Sequence, residues 1–141
     1  MFAKRLTKED EELISRAYKA VSDVTTKEFG NLVVAHVGAA LMTGIGNIYT
    51  GVNMECKCDI GSCAEHDAIA EMIKHDEHDI KKIVAVDRHN VIVPPCGRCR
   101  ELIYQVTHNH KVEIIVAKGK KVSLGKLLPK IWEETYYKKH Q

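Results

Sequence analysis

The sequence predicts an α/β protein in which helices pack on one mixed β-sheet. Segments with helical spacing of apolar residues alternate with short strand-like apolar runs along the chain. The length of 141 residues, with 45% hydrophobic and 28% charged residues, is typical of one globular domain. A chain of this length buries roughly two thirds of its unfolded surface and needs no disulfide or metal to fold. We therefore expect residues 1–141 to form a single domain, in which any metal has another role.

The first elements are predicted to be a helix and a β-hairpin. Thr7, with an acid three residues later, has the spacing of a capping box, and apolar residues at helical spacing follow it. This pattern predicts a helix over 7–24. Two apolar segments, 32–42 and 48–54, then flank the run Gly44-Ile45-Gly46-Asn47, whose residues tolerate positive φ. The two segments are therefore predicted to be paired strands.

The middle of the chain is predicted to add a helix and a central strand. Apolar residues at spacings of one, three and four predict an amphipathic helix over 63–75. The β-branched run 83–86 is too short for a helix and is apolar on both faces, as a strand covered on both sides would be. Residues 91–93 are expected to extend this strand past a turn.

The last third is predicted to contain a helix, a strand and a short C-terminal helix. Pro94-Pro95 ends the preceding strand, and the helix that follows reaches to about Thr107. A further strand is predicted over 111–117. The tail combines leucines with Trp132 and two tyrosines among charged residues, which indicates a short helix and a partly covered aromatic end.

Charge and cysteine content exclude several classes of protein. Lys and Arg number 21 against 19 Asp and Glu, so the net charge of +2 lacks the concentrated positive field of a protein that binds long nucleic acid. Residues 29–54 carry no charged side chain, but their glycines and polar residues make them a poor membrane span. Five cysteines are an odd count, and the first residues do not resemble a secretory signal. We expect a cytoplasmic protein without a membrane partner or a disulfide framework.

Three cysteines are placed where they could hold one metal ion. Cys63 opens one predicted helix, and Cys96 and Cys99 open the next. In a helix, residues three apart have Cβ atoms about 5–6 Å apart, so two sulfurs can approach one ion at about 2.3 Å each. Three protein ligands with a vacant fourth position are typical of catalytic zinc. The sequence therefore predicts a zinc site with an open position.

The charge of such a site must be offset. Three thiolates on one divalent ion leave a formal charge of about −1, which would make bound water a poorer acid. The positive ends of two helices, each equivalent to roughly half an elementary charge, oppose this charge. Arg98 and Arg100 lie close enough in sequence to add to the effect.

Glu65 stands two residues after the first cysteine, near the metal but constrained by Cys63 from being an obvious ligand. A carboxylate in this place can take a proton from water and return it to a leaving group. Taken alone, Glu65 could be an ordinary acid in the first turn of a helix. Its position beside three cysteines favours the catalytic interpretation.

Other interpretations of the cysteines remain open from the residues alone. The pair Cys96-x-x-Cys99 is also typical of a redox site or half of a zinc ribbon. A rival set would combine Cys56 and Cys58 with this pair into a closed structural site and leave Cys63 as a small buried residue. The C-x-C spacing suits a ribbon less well than C-x-x-C, so Cys56 and Cys58 are expected to be loop thiols.

The two helix starts resemble a known family. Cys63-Ala64-Glu65, followed by the run Pro95-Cys96-Gly97-Arg98-Cys99-Arg100-Glu101-Leu102, is similar to the two-part signature of the cytidine deaminase superfamily, in its three-cysteine nucleoside branch. The resemblance covers nearly the whole chain. Further matches are Val37-Gly38-Ala39-Ala40, Thr50-Gly51-Val52-Asn53-Met54-Glu55 and Leu127-Leu128-Pro129.

The resemblance implies a fold, a reaction and site residues. The implied fold is a three-layer α-β-α sandwich with a mixed five-stranded sheet. The implied reaction is hydrolytic deamination at C4 of a cytosine nucleoside, cytidine or deoxycytidine, with one Zn²⁺ per subunit and Glu65 as the proton carrier. In such enzymes the residues matching Asn53 and Glu55 contact the ribose, although both could be merely polar residues at a strand end. The backbone N–H of Ala64 is expected to contact the pyrimidine oxygen. Small members of the family are usually homotetramers.

Departures from the family pattern limit what the resemblance implies. Val33-Val34-Ala35-His36 stands where free-cytidine deaminases usually have Tyr-Ser-x-Phe, so the aromatic wall for the base is missing. His66 stands where an arginine often hydrogen-bonds the thiolates. Its compensating charge would then depend on pH, because histidine loses its proton near neutrality, unless it is only a surface residue. Trp132 could cover the base, even in a neighbouring subunit, or pack at an interface.

The natural substrate stays open between two subgroups. His36 and the run Cys99-Arg100-Glu101-Leu102 favour blasticidin S deaminase, which acts on the same amino group of a nucleoside antibiotic, whereas Asn53-x-Glu55 favours plain cytidine. Two further hypotheses are a zinc-structured binding module without catalysis and a deaminase of polynucleotides. The last would need a basic channel and stacking aromatic residues, and the chain has a net charge of +2 with two Phe, one Trp and five Tyr.

Overall fold

A mixed β-sheet lies between one helix on one face and a group of helices on the other. The computed structural model describes residues 5–140, and the predicted three-layer α-β-α arrangement is confirmed. In chain order the elements are α1 (Lys8–Asp23), β1 (Glu28–Phe29), β2 (Leu32–Thr43), β3 (Ile48–Glu55), α2 (Ala64–Lys74), β4 (Ile80–Asp87), β5 (Ile92–Val93), α3 (Gly97–Thr107), β6 (Glu113–Ala117), β7 (Lys120–Ser123), α4 (Leu124–Leu127) and α5 (Trp132–His140).

Strand β4 occupies the middle of the sheet. It pairs antiparallel with β2 and parallel with β6, and β7 follows antiparallel to β6. Both β1 and β3 pair with β2. The described chain therefore forms a seven-stranded sheet instead of the expected five. Two of the strands have only two residues each, and β7 was not predicted because its sequence Lys-Lys-Val-Ser is mostly polar.

The sequence predicted that residues 91–93 extend strand β4, but in the structure they do not. Ile92 and Val93 instead fold back and pair antiparallel with Val86 and Ala85. The turn between them is closed because the carboxylate of Asp87 accepts hydrogen bonds from two backbone N–H groups of the turn, at 2.8 and 2.9 Å. This hydrogen-bonded turn reverses the chain and brings it back toward the start of α3.

The sheet is covered on both faces, because alternate residues of β4 enter two different cores. Ile83 and Ala85 pack in the core beneath α2 and α3, whereas Val84 and Val86 pack in the core beneath α1. All four are at most 2% exposed. The prediction of a central strand that is apolar on both faces is confirmed.

The predicted helix starts are correct to within a residue. Thr7 caps α1 with the reciprocal capping box: its Oγ1 accepts from the Asp10 backbone N–H, and the Asp10 carboxylate accepts from the Thr7 N–H. Cys63 and Cys96 are the N-cap residues of α2 and α3. Among residues 5–140, no helix has both the length and the apolar character needed to cross a membrane.

Candidate active site

Two helix starts bring the predicted site residues together. Cys63 and Cys96 have extended backbone at the N-caps of α2 and α3, and Cys99 lies in the first turn of α3. The first turn of α2 is held on β3, since the Val52 N–H donates to the Asp67 carboxylate at 2.9 Å. The side chains at the start of α2 therefore have a fixed position relative to the sheet.

The sulfurs of Cys63, Cys96 and Cys99 form one cluster. All three Sγ atoms lie within 4.8 Å of one another, and those of Cys63 and Cys96 are 3.5 Å apart. Sulfurs bound to one tetrahedral zinc at about 2.3 Å are roughly 3.8 Å apart, so the spacing and the soft donor set fit this ion. Within the described part of the chain this is the one such group of His, Cys, Asp or Glu side chains.

The rival four-cysteine site is not formed. Cys58 is exposed on the loop after β3, at φ +60°, and Cys56 is half-buried on the same loop. Neither sulfur joins the cluster, and Cys63, which the rival set leaves out, does. The expectation that Cys56 and Cys58 are loop thiols is confirmed.

Burial makes two of the three clustered cysteines, Cys63 and Cys99, resist ionisation. It raises the pKa of Cys99 far above its ordinary value, and the nearby Glu65 carboxylate adds to the rise. Burial also raises the pKa of Cys63, as does its hydrogen bond with Cys96. For Cys96, burial is outweighed by hydrogen bonds from the Cys99 N–H and from Cys63, and its pKa is lowered. Holding all three as thiolates therefore requires a positive charge among them.

The two arginines of the motif differ in their contacts. Arg100 donates from Nε to the Pro95 carbonyl at 2.8 Å and from Nη1 to the Leu127 carbonyl at 3.3 Å. It therefore ties the start of α3 to the end of α4. Arg98 is exposed and lines the cavity described below. Of the two arginines that were expected to offset the thiolate charge, only Arg98 is free of hydrogen bonds to the described chain.

Glu65 lies beside the sulfurs and is 5% exposed. One of its carboxylate oxygens, Oε2, is 3.6 Å from the Sγ atom of Cys99. Burial raises the pKa of Glu65, and its own backbone N–H and the Cys99 thiol oppose the rise only in part. A carboxyl group whose pKa is moved toward neutrality can both accept and release a proton in the reaction.

A cavity of about 490 Å³ opens beside the cluster. Its volume is within the range of small-molecule sites. It brings together almost all of the predicted residues, whereas Cys99 is buried beside Glu65. The predicted residues in its lining are Asn53, Glu55, Cys63, Ala64, Glu65 and Cys96. The other lining residues are Val37, Met54, Cys56, Asp59, Gly61, Ser62, Val93, Pro94 and Arg98.

Asn53 has a structural role that the sequence analysis did not foresee. Its Oδ1 accepts hydrogen bonds from the backbone N–H groups of His36 and Val37, both at 2.8 Å. Its Nδ2 donates to Glu55 at 3.1 Å. Any contact of Asn53 with a ligand would use the second hydrogen of Nδ2.

The sequence left the roles of His66 and Trp132 open and gave no signal at Asp59. Only its place on the loop after β3 brings Asp59 to the cavity. His66 is half-buried, and its ring has no hydrogen bond or ion pair among the described residues. Trp132 is 57% exposed, stacks on Tyr136 with ring centroids 4.9 Å apart, and lies outside the cavity lining.

Comparison with known proteins agrees with this geometry. Residues 7–116 match the family model of the cytidine and deoxycytidylate deaminase zinc-binding region. The chain is 36% identical to the blasticidin-S deaminase of Bacillus cereus over 105 residues, which are 67% of this chain and 74% of that protein. It is 32% identical to the cytidine deaminase of Sporosarcina psychrophila over 97 residues, 66% of this chain and 71% of that one. The crystal structure of cytidine deaminase from Mycobacterium leprae superposes with a TM-score of 0.72 at 26% identity, covering 85% of this chain and 97% of that chain.

Proposed function

The chain belongs to the cytidine and deoxycytidylate deaminase family, and from this premise we propose that it catalyses zinc-dependent hydrolytic deamination of the cytosine ring of a free nucleoside. One observation carries the proposal. A buried carboxyl group, Glu65, lies beside three clustered cysteine sulfurs at the edge of a cavity of small-molecule size. This combination supplies a metal site, a proton carrier and room for a substrate.

Cys63, Cys96 and Cys99 are the proposed zinc ligands, in agreement with the zinc-binding description of the family model. Three protein ligands leave one position open, as in other catalytic zinc sites. When bound, the ion would supply a Lewis acid that lowers the pKa of water and makes it nucleophilic near neutral pH. The helix starts at Cys63 and Cys96 add positive partial charge next to the thiolates.

Glu65 moves the protons of the reaction. Its carboxylate takes a proton from the attacking water and delivers it to N3 of the ring. It then carries the second water proton to the amino group, which leaves as ammonia while the oxygen becomes the new carbonyl. The contact between Glu65 and Cys99 keeps the carboxyl group oriented. The raised pKa of Glu65 suits this double role, because the group binds and releases a proton more evenly near neutral pH.

The remaining wall of the cavity is proposed to hold the nucleoside. The Ala64 N–H belongs to the first turn of α2, where backbone amides have no intrahelical acceptor, so it can donate to the pyrimidine oxygen. Asn53 and Glu55 lie on β3 at the cavity and are the proposed partners of the sugar hydroxyls. The described residues that line the cavity include no aromatic side chain, so the base rests against aliphatic side chains such as Val37 and Val93.

Blasticidin S is the second candidate substrate, because the chain is 36% identical to the Bacillus cereus enzyme that carries this name. The chemistry at C4 is the same, and only the group attached to the base differs. Ultraviolet assays with cytidine, deoxycytidine and blasticidin S at equal concentrations would rank the three by kcat/KM. A protein that binds zinc but releases ammonia from none of them would be a binding module.

The substitution Glu65→Gln tests the catalytic proposal. We expect the variant to keep its zinc and its melting temperature, whereas kcat falls about 10²- to 10⁴-fold, the usual contribution of a proton carrier. The matched control is Glu71→Gln, which changes a partly exposed residue of the same helix that pairs with Lys74. The control should keep its rate within about twofold, as surface substitutions usually do. A Glu65→Gln enzyme with the wild-type rate would refute the proposed role.

The proposal also includes the organisation of the protein. We propose that residues 1–141 act as one catalytic domain in a cytoplasmic homotetramer that serves pyrimidine salvage. Usual assembly in the family supports the tetramer, and the odd cysteine count supports a reducing compartment. Analytical ultracentrifugation should give a mass four times the 15.9 kDa of the chain. A monomer at micromolar concentration would contradict this part of the proposal alone.

A further inference from the structure

An irregular segment of β2 lies opposite Asn53. On either side the strands pair regularly, Val34 with Met54 and Gly38 with Val52. Between these pairs, three residues of β2 face one residue of β3. Extra residues of this kind form a β-bulge, which re-aims side chains and is frequent next to active sites. The bulge here borders the cavity that contains the sulfur cluster.

The backbone of the bulge is fixed without help from the side chain of His36. Its first extra residue, Ala35, is fully buried and has a φ of +56°. The next two N–H groups leave the ladder and donate to Asn53 Oδ1. The imidazole ring of His36 makes neither of these contacts. A substitution that changes only this ring therefore leaves the bulge supported.

The ring of His36 contacts the proposed sugar-binding carboxylate. Its Nδ1 atom lies 3.1 Å from Oε1 of Glu55, and the Nδ2 atom of Asn53 lies at the same distance from the same oxygen. One carboxylate oxygen of Glu55 is thus shared by two donors. The other, Oε2, has no hydrogen-bond partner among the residues that the structure describes, and Glu55 lines the cavity.

The two carboxylate oxygens of Glu55 therefore have different roles. Glu55 is just over half exposed, so its side chain would otherwise sample several rotamers in solvent. Two hydrogen bonds to Oε1 restrict this freedom and leave Oε2 available to accept from a ligand hydroxyl. Fixing a binding group before the ligand arrives reduces the entropy cost of binding.

We propose that His36 is a positioning residue that fixes Glu55 for recognition of the sugar hydroxyls, and so selects nucleosides with an intact pentose. The inference rests on the proposed deaminase function, and it adds a residue that touches neither the base nor the metal ligands. His36 affects the strength of substrate binding and leaves the chemistry at C4 to the sulfur cluster and Glu65.

Steady-state kinetics of two side-chain variants test the proposal. In His36→Ala the carboxylate loses one of its two donors, and we expect KM for cytidine to rise about three- to tenfold, the effect of one ordinary hydrogen bond, with kcat changed less than about twofold. In His36→Asn an amide N–H replaces the Nδ1 donor, and KM should return to within about twofold of wild type. For 2′,3′-dideoxycytidine, which lacks both secondary hydroxyls, His36→Ala should leave KM unchanged.

A double-mutant cycle with Glu55→Gln shows whether His36 acts through Glu55. If it does, the KM effect of His36→Ala disappears in the Glu55→Gln background. The matched control is His75→Ala, which removes another exposed histidine next to a glutamate, Glu71, at the far end of α2. It should leave both constants unchanged, and all variants should keep their zinc content and melting temperature.

Several results would overturn the inference. Equal KM effects on cytidine and the dideoxy analogue, no rescue by asparagine, or additive effects in the cycle would each do so. In all these cases the wild-type enzyme still deaminates cytidine and the proposed function survives. An inactive wild-type protein, or an active Glu65→Gln variant, would instead refute the proposed function itself.

Discussion

Ionisable groups are buried near both ends of the central strand β4, but only at one end do they form ion pairs with residues of the described chain. Near the start of β4, Lys82 is 3% exposed and contacts the fully buried Asp10 of α1. At the carboxyl end, residues that pair with Ala85 and Asp87, namely Val93 and Val37, line the cavity beside the cysteine cluster. The first end contains buried carboxylates and ammonium groups together, whereas the buried ionisable groups of the second are the acid Glu65 and the thiol Cys99.

At the first end, the chain itself provides every counterion. The two oxygens of Asp10 each lie 2.7 Å from an ammonium nitrogen, one of Lys82 and one of Lys121. Burial alone would raise the pKa of Asp10, but hydrogen bonds from Lys121 and Lys82 hold it well below its usual range. A buried charge with partners on two other elements fixes how α1 sits on the sheet.

At the second end of β4, the pKa values of the buried acidic groups are shifted upward instead of downward. Burial raises the pKa of both Glu65 and Cys99, and no lysine or arginine of the described chain forms an ion pair with either. Both groups would ionise more readily if a cation came between them. The contrast teaches that a buried acid with its own lysines is structural, whereas buried acids without a counterion point to a cation from outside the chain.

The largest effect is expected from removing one sulfur at the second end. In Cys99→Ala the zinc should be lost together with activity, because two thiolates and a water hold the ion far more weakly than three thiolates. Loss of a residue that only hydrogen-bonds to a metal ligand costs about 10- to 100-fold in metal affinity, so loss of a ligand itself should cost more. Metal analysis by mass spectrometry and ammonia release measured on the same sample check the prediction.

The loop thiol Cys58 provides the control for this experiment. Cys58→Ala removes an exposed sulfur outside the cluster and should leave zinc content and rate unchanged. If Cys58→Ala lost zinc as completely as Cys99→Ala, the assignment of the cluster as the metal site would be wrong.

The next largest effect is expected at the first end. Asp10→Asn removes the carboxylate that two buried ammonium groups share and leaves them only the less buried Glu9 and Glu113. Breaking a buried pair in this way costs about 3–5 kcal/mol. The kcat of the folded variant should stay at the wild-type value, because Asp10 is on the opposite face of the sheet from the cavity. Urea unfolding and single-substrate kinetics measure the two quantities separately.

Glu11→Gln is the matched control for Asp10→Asn. It changes an exposed acid in the same turn of α1 and should alter stability by about 0.5 kcal/mol or less. If Asp10→Asn cost no more than Glu11→Gln, the buried pairs would have no structural importance and the contrast between the two ends would fail.

A smaller effect is expected where α2 packs on β3. A Cβ atom at Gly51 would lie 2.4 Å from the Ala68 nitrogen and 2.6 Å from the Ala64 oxygen, both backbone atoms that cannot rotate away. Gly51→Ala should therefore cost about 1–3 kcal/mol, as overpacking does. It should also lower kcat, because the displaced turn carries Glu65.

Gly97, between Cys96 and Cys99, serves as a control for Gly51. A Cβ atom at Gly97 meets nothing within 4 Å, so Gly97→Ala should keep both the stability and the rate. Equal effects of the two substitutions would show that close packing of α2 does not position the site. Thermal unfolding and kcat measured for both variants decide between these outcomes.

The sulfur cluster was predictable from sequence, because it is built from local signals. Each helix start is encoded within a few residues, and Cys63 and Cys96 proved to be the N-caps of α2 and α3. The spacing of Cys96 and Cys99 then places two sulfurs on one turn. Only the approach of the two helices was not contained in the local pattern, and the family resemblance supplied it.

The rest of the molecule could not be predicted in the same way, because it depends on contacts distant in sequence. Lys121 and Asp10 are 111 positions apart, and buried lysines are rare enough that neither Lys82 nor Lys121 is recognisable in a list of charged residues. The bulge opposite Asn53 contains no glycine or proline from which it could be predicted. The residue at positive φ is Ala35, and its conformation follows from the hydrogen bonds to Asn53.

The smallest expected effect is the contribution of Asp10 to stability at acid pH. Its folded-state pKa lies below the value of about 3.9 in an unfolded chain, so its contribution is complete above that value and is lost as the pH falls toward the folded pKa. Wild type should lose about 1 kcal/mol between pH 5 and pH 3 from this group, a loss that Asp10→Asn cannot show. Urea unfolding of both proteins at several pH values measures the difference, which should narrow in acid. A constant difference over this range would mean that Asp10 is not held ionised by its lysines, and the first end of β4 would then resemble the second.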